Sequence, residues 1–253
     1  MAQIENSRCL MLEQKQQELL ALYAANCGRI EAVMKTCGPR IYDPFYASSV
    51  TNYWTAPKRI VFVGQQPGGK WKLGIDPVRT MAWYKEFTDN TNPHEGGSDD
   101  CNGPFWSIIR RFEKALGHQL HSSTWLNINR CAEETGKSQE PSQTNLNHLA
   151  QLDFLLLEEL KILQPDYVVF FTGPTKNYDS RIANLLKGKV VTCDGFNPRQ
   201  LYQYVSPELK TTIFRTYHPT YLRHSKLESP VFKYIVEQIK SEGGAKSRSD
   251  STL

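Results

Sequence analysis

Apolar and polar positions divide the chain into short apolar runs and longer stretches with apolar residues at every third or fourth place. Ile60, Val61, Phe62 and Val63 form an unbroken run, as expected of a strand buried on both faces of a parallel sheet. Residues 125–128 (WLNI) and 167–171 (YVVFF) predict two more buried strands, 211–217 (TTIFRTY) another, and Val190-Val191 a brief one. Helical spacing runs through 9–38, where Leu19, Tyr23, Cys27, Ile30 and Met34 recur in steps of three and four until Gly38-Pro39 stops them. Residues 78–87 predict a second helix. Residues 104–116 predict a third, with Phe105, Ile108, Ile109 and Phe112 on one side and Gly117 at its end. The clearest stripe is Leu149, Leu152, Leu156, Leu160 and Leu163, closed by Pro165; shorter helices are expected over 178–186 and 230–239.

Strands alternating with helices predict one three-layer α/β/α domain around a mainly parallel sheet. Residues 58–240 form that domain in this reading. Residues 1–57 add a helix and an aromatic-rich loop (Tyr42, Phe45, Tyr46, Tyr53, Trp54) packed on the core, and 241–253 a polar tail expected to be disordered. Residues 88–103, TDNTNPHEGGSDDCNG, predict a long loop of the kind that serves as a lid or binding loop.

Composition narrows the picture only modestly. The 253 residues carry a net charge of +4, which permits nucleic-acid binding without demanding it. No charged and apolar leader opens the chain, and no apolar run approaches the ~18 residues of a membrane span, so a soluble, cytoplasmic chain with no membrane partner is expected. The six cysteines are scattered with no C-x-x-C pair, the pattern of free thiols in a reducing compartment.

Candidate chemistry gathers where strands end. In an open α/β sheet, ligands bind beyond the carboxyl ends of the strands. Three such ends are polar: GQQPGG (64–69), NINRC (127–131) and HPTYLR (218–223). In the first, Pro67 fixes a turn, Gly68 and Gly69 let the backbone pass close to another group, and Gln65, Gln66 and the glycine N–H groups line a site.

The motif G-Q-Q-P-G (64–68) after one strand and H-P-T-Y-L (218–222) after a late one resemble the uracil-DNA glycosylase superfamily, and the segments between them match it in order over roughly 58–240. The resemblance implies a uracil-DNA glycosylase-like fold with a central four-stranded sheet. It also implies a monofunctional DNA glycosylase that flips a base and hydrolyses its N-glycosidic bond, with DNA as partner, no cofactor or metal, and a monomeric state. His218 matches the histidine that donates to the base oxygen, and Gln66 stands at the water-positioning place. Asn127 matches the base-reading asparagine, with Asn129 as fallback; Phe105 is the stacking ring, and Gln65 and Gly68 complete the base pocket. Leu222 matches the wedge that fills the vacated stack, with Tyr221 beside it, while Arg223 and Lys70, together with Lys72, Arg215 and Lys226, are candidates for phosphate contacts.

The chain departs from that pattern in three ways. Gln66 stands where Asp or Asn is usual, so it orients water rather than acting as a base, unless another acid such as Asp76 assists. Gly68 stands where the strictest uracil enzymes carry a Tyr that guards C5. This opens the pocket to uracil or to 5-modified, even hypermodified, pyrimidines of foreign DNA, in repair or in defence. The paired N-terminal cysteines of the iron–sulfur branches are missing, so no cluster is expected. A catalytically impaired member that binds DNA or protein through the same pocket is the rival reading.

Overall fold

The computed structural model describes residues 2–68, 72–91, 96–135 and 139–245. Six strands form one sheet in the order β2-β1-β3-β6-β5-β4. They are β1 (Ile60–Gly64), β2 (Thr124–Asn127), β3 (Tyr167–Phe170), β4 (Lys189–Thr192), β5 (Leu201–Val205) and β6 (Thr212–Thr216). β1 runs parallel to both β2 and β3, and β3 runs parallel to β6. β5 is antiparallel to β6, and β4 to β5. Four of these, β2-β1-β3-β6, are joined by β4, which contains the brief strand expected at Val190-Val191, and by β5, which was not expected, so the sheet has six strands rather than four.

The reason lies in burial. Every residue of β1, β2 and β3 is buried, so each is spelled almost wholly by apolar and aromatic side chains. All four residues of β4 are exposed at the sheet edge, and β5 mixes buried tyrosines with Gln203 and an exposed Val205. Neither strand offers a continuous apolar run.

Eight helices accompany the sheet among the described residues: α1 (Ala2–Cys37), α2 (Pro77–Thr88), α3 (Pro104–Leu116), α4 (Gln143–Leu149), α5 (Asp153–Leu163), α6 (Lys176–Leu186), α7 (Pro219–His224) and α8 (Glu228–Ala245). Their main mutual contacts fall into two sets, α1 with α2, α4 and α5 and α5 with α6, and α3 with α7 and α8. Phe62 of β1 meets Phe112 of α3 at 5.3 Å between ring centres, and Phe112 meets Phe232 of α8 at 4.8 Å. The leucine stripe expected as one helix is split by a 3-10 turn at Ala150–Leu152 and starts earlier, where the Ser142 side chain accepts from the Asn145 N–H at 3.3 Å. The helix expected over 230–239 extends through 241–245, which were expected to be disordered; 246–253 lie outside the described residues.

The first helix is tied into the core. Leu19, Tyr23 and Ile30 are fully buried. The Tyr23 hydroxyl donates to Glu159 of α5 and accepts from the Ala47 N–H at 3.1 Å. Arg130 binds both carboxylate oxygens of Glu159 and donates to the Phe45 carbonyl at 3.2 Å. At the outer edge of β2, the Tyr84 hydroxyl accepts from the Trp125 N–H at 2.9 Å and donates to the Trp125 carbonyl at 2.8 Å, closing an edge that would otherwise template pairing. No helix among the described residues is long and apolar enough to cross a membrane.

Candidate active site

Because β1, β2, β3 and β6 are parallel, their carboxyl ends lie along one margin of the sheet. The chain leaves β1 toward β2 and leaves β3 toward the opposite side, so its direction reverses between β1 and β3, where α/β sheets form crevices. Backbone pairing continues past the strand ends. Ile128 N–H donates to the Gly64 carbonyl at 3.0 Å, and Asn129 N–H to the Gln65 carbonyl at 2.9 Å. The Gln65 side chain spans the reversal, its Nε2 donating to the Thr172 carbonyl at 2.8 Å.

A cavity of about 310 Å³ opens at this margin. It is lined by six of the residues singled out from the sequence, Gln65, Gln66, Gly68, Phe105, Asn127 and His218, which come from three strand ends and the start of α3. At Gly64 a β-carbon would stand 2.7 Å from Asn127 Oδ1 and 3.5 Å from Phe105 Cε2. Glycine at the end of β1 therefore lets the amide and the ring close over the strand. Gly68, in contrast, has nothing within 4 Å of such an atom, so it leaves open space and makes no close backbone approach.

Asn127 is only 5% exposed, yet its Nδ2 has no hydrogen-bond partner. A buried donor left without a partner costs about 1–3 kcal/mol, so this amide is built to meet an acceptor in the cavity. Asn129, the fallback, is already engaged. It accepts from Arg181 at 2.7 Å and donates to the Tyr178 hydroxyl at 3.1 Å, and Arg181 is held in turn by Asp153.

His218 caps α7. Its Nδ1 accepts from the Thr220 N–H at 3.3 Å, and burial pulls the ring below the ordinary histidine pKa of about 6.5. The ring is therefore neutral at pH 7. With Nδ1 accepting, its proton resides on Nε2, leaving one N–H to donate.

No family model matches this chain, and no curated protein matches it. Its function is therefore argued from the site.

The remaining wall, Trp83, Phe87, Cys101, Trp106 and Trp125, was not foreseen from the sequence. Trp83 and Phe87 stand one helical turn apart on α2 and stack at 4.7 Å, with 15° between planes. Phe87 meets Trp106 at 5.2 Å, and Trp106 meets Phe105 at 5.6 Å. Aromatic residues at helical spacing look the same in a sequence whether they face a core or a cavity. Their one distinguishing signal was proximity to the long loop. The described part of that loop is pinned: Arg110 of α3 donates to the Ser98 and Cys101 carbonyls, each at 2.8 Å. Burial, the larger influence, raises the Cys101 thiol despite the nearby Arg110, so it stays protonated.

Several expectations change. Leu222 is 0% exposed and packed in the core, because α7 is a helix that turns this position inward; Tyr221 is 51% exposed and lies against Tyr217 with ring centres 4.3 Å apart and planes tilted by 32°. Tyr221, not Leu222, is the projecting side chain. Arg215 is interior, bonded to the Pro198 and Arg199 carbonyls and paired with Asp179, so it is no phosphate ligand. Asp76 caps α2 by accepting from the Val78 N–H at 3.0 Å and does not line the cavity. Arg223 shares Glu228 with Arg111, leaving one net positive charge beside α7; Lys72 and Lys226 are exposed. Lys70, Gly69 and Trp71 lie outside the described residues.

Proposed function

We propose that this chain is a monofunctional DNA N-glycosylase, active as a monomer on uracil or a 5-modified pyrimidine flipped out of DNA. The observation that carries the proposal is the cavity itself. A buried amide with an unpartnered donor, a neutral imidazole with one N–H to give, and an aromatic ring meet in about 310 Å³, the small end of the ~300–1,000 Å³ typical of ligand pockets. Such a volume suits one base rather than a nucleotide. The four contiguous parallel strands, β2-β1-β3-β6, are taken as a four-stranded uracil-DNA glycosylase-like core.

In this reading, the base stacks on Phe105 and presents its hydrogen-bonding edge to Asn127. As the bond between base nitrogen and C1′ breaks, its electron pair moves onto the base, and His218 Nε2–H donates to the base oxygen where that charge collects. Water then adds its oxygen to C1′ and its proton is released, giving the free base and an abasic sugar. No carboxylate lines the cavity among the described residues, so departure of the base leads, and Gln66 orients the water without deprotonating it. Arg223, which follows His218 on α7, and the exposed Lys72 supply charge for phosphates in this reading, which makes binding fall with salt.

The missing carboxylate also favours a second reading, a module that binds a flipped base without cutting. Oligonucleotides bearing uracil, a thymine mismatch or bulky 5-substituted cytosines separate the two. Glycosylase action releases free base from at least one of them. Tight binding of a modified oligonucleotide with no release from any would leave only the module.

A further inference from the structure

The cavity has two unlike ends. Gly64, Gln65, Gln66, Asn127 and His218 make one end polar. From Phe105 the rings continue away in unbroken contact through Trp106 and Phe87 to Trp83. A bare pyrimidine engaged by Phe105, Asn127 and His218 uses the polar end and leaves the aromatic end of the cavity unfilled. Apolar surface of that kind is costly to keep open to water and gains most when a ligand covers it.

The pose proposed above sets which part of the base faces it. With Asn127 on the hydrogen-bonding edge and His218 on the oxygen beside the glycosidic bond, the C5 edge is left for the remaining wall; Gly68, which also lines the cavity, presents no side chain there. Charge then limits what the substituent can be. Among the described residues no carboxylate, lysine or arginine lines the cavity, and an ion placed there would lack a counter-ion.

We propose that the Trp83–Phe87–Trp106 wall receives a bulky, uncharged substituent at C5 of the pyrimidine, with ring or CH faces to lay against the aromatics, and so makes these three residues the specificity determinants of the site. This rests on the glycosylase reading above for the pose of the base. The preferred substrate is then a base substantially larger than uracil or thymine.

The test uses the full chain and four otherwise identical oligonucleotides carrying deoxyuridine, 5-benzyloxymethyl-deoxyuridine, 5-carboxy-deoxyuridine or 5-aminomethyl-deoxyuridine. Equilibrium binding and base release are both measured. The neutral benzyloxymethyl base should bind about tenfold or more tighter than uracil, and both charged bases should bind more weakly than it does. Trp83→Ala should collapse the ratio between the benzyloxymethyl and uracil oligonucleotides toward unity, while Trp83→Phe keeps most of it. Because a ratio is read, poor folding lowers binding to both oligonucleotides and leaves the ratio in place; Phe87→Ala, which should lower the ratio as Trp83→Ala does, gives a second, independent reading of the wall. Equal binding of uracil, preference for a charged substituent, or a ratio unchanged in both Trp83→Ala and Phe87→Ala overturns it. Release from none of the four with the binding preference intact overturns the glycosylase reading alone. Release without preference overturns this inference alone.

Discussion

His218 and Gly64 carry the sharpest consequences at the scale of single residues. Removing the one imidazole that lines the cavity among the described residues, His218→Ala, should slow base release by ~10²–10³, the range seen when one donor to a developing anion is lost. Single-turnover release under saturating enzyme measures this, and a change below threefold would take His218 out of the mechanism. The pH profile follows from the direction of its shift. The folded ring resists protonation below about 6.5, so the neutral donor survives there, and the acid limb of release should have its midpoint below that value. Stability follows the same sign. The unfolded chain takes up the proton first, so His218's contribution is full above about 6.5 and is lost as pH falls through the lower folded value. Gly64→Ala places a methyl against Asn127 Oδ1 and must push the amide off its position. Release should fall at least about tenfold, equivalent to ~1.4 kcal/mol, with little loss of secondary structure by circular dichroism. The sequence offered no means of telling Gly64 from Gly68: both follow a strand, but only the neighbours across the sheet reveal which one lacks room.

At the scale of elements, legibility followed burial. β1, β2, β3 and β6 were visible because strands covered on both faces can tolerate few polar residues; exposed β4 showed only as the Val190-Val191 pair, and β5 carries a sequence that would suit a loop equally well. α7 was hidden for another reason. Six residues are too few to display a period, so its inward turn at Leu222 could not be foreseen, and a wedge role was expected of a side chain that the helix buries. The site was legible to the extent that polar residues at strand ends stand out from apolar runs; its aromatic wall, on α2 and α3, was not. Arg110 joins these two levels. Arg110→Ala removes two charge-assisted bonds to loop carbonyls and should cost about 1–3 kcal/mol. It should also speed proteolysis within 96–103 and raise KM as Cys101 drifts from the cavity wall. Unchanged protease sensitivity would show that the loop is held by other contacts.

Across the whole molecule, the ion pair Arg130–Glu159 and the Tyr23 hydroxyl join α1 and α5 to the segment after β2. Both charges are almost wholly buried, so removing one strands the other. Arg130→Met should destabilise the chain by about 3–5 kcal/mol in urea unfolding, and adding Glu159→Leu should recover a large part of that loss. A single variant that unfolds at the wild-type midpoint would mean that water reaches the pair. The same triad governs how the molecule is made. Tyr23 and Glu159 are 136 positions apart in sequence. At a synthesis rate of ~5–20 residues per second, the first helix waits on the order of ten seconds for its carboxylate to be translated. Throughout that interval Leu19, Tyr23 and Ile30, all buried in the finished protein, stand on a helix that lacks α4 and α5, its main packing partners. The nascent chain is thus a client for whatever shields apolar helices at the ribosome, long before His218 has been added and a pocket can exist.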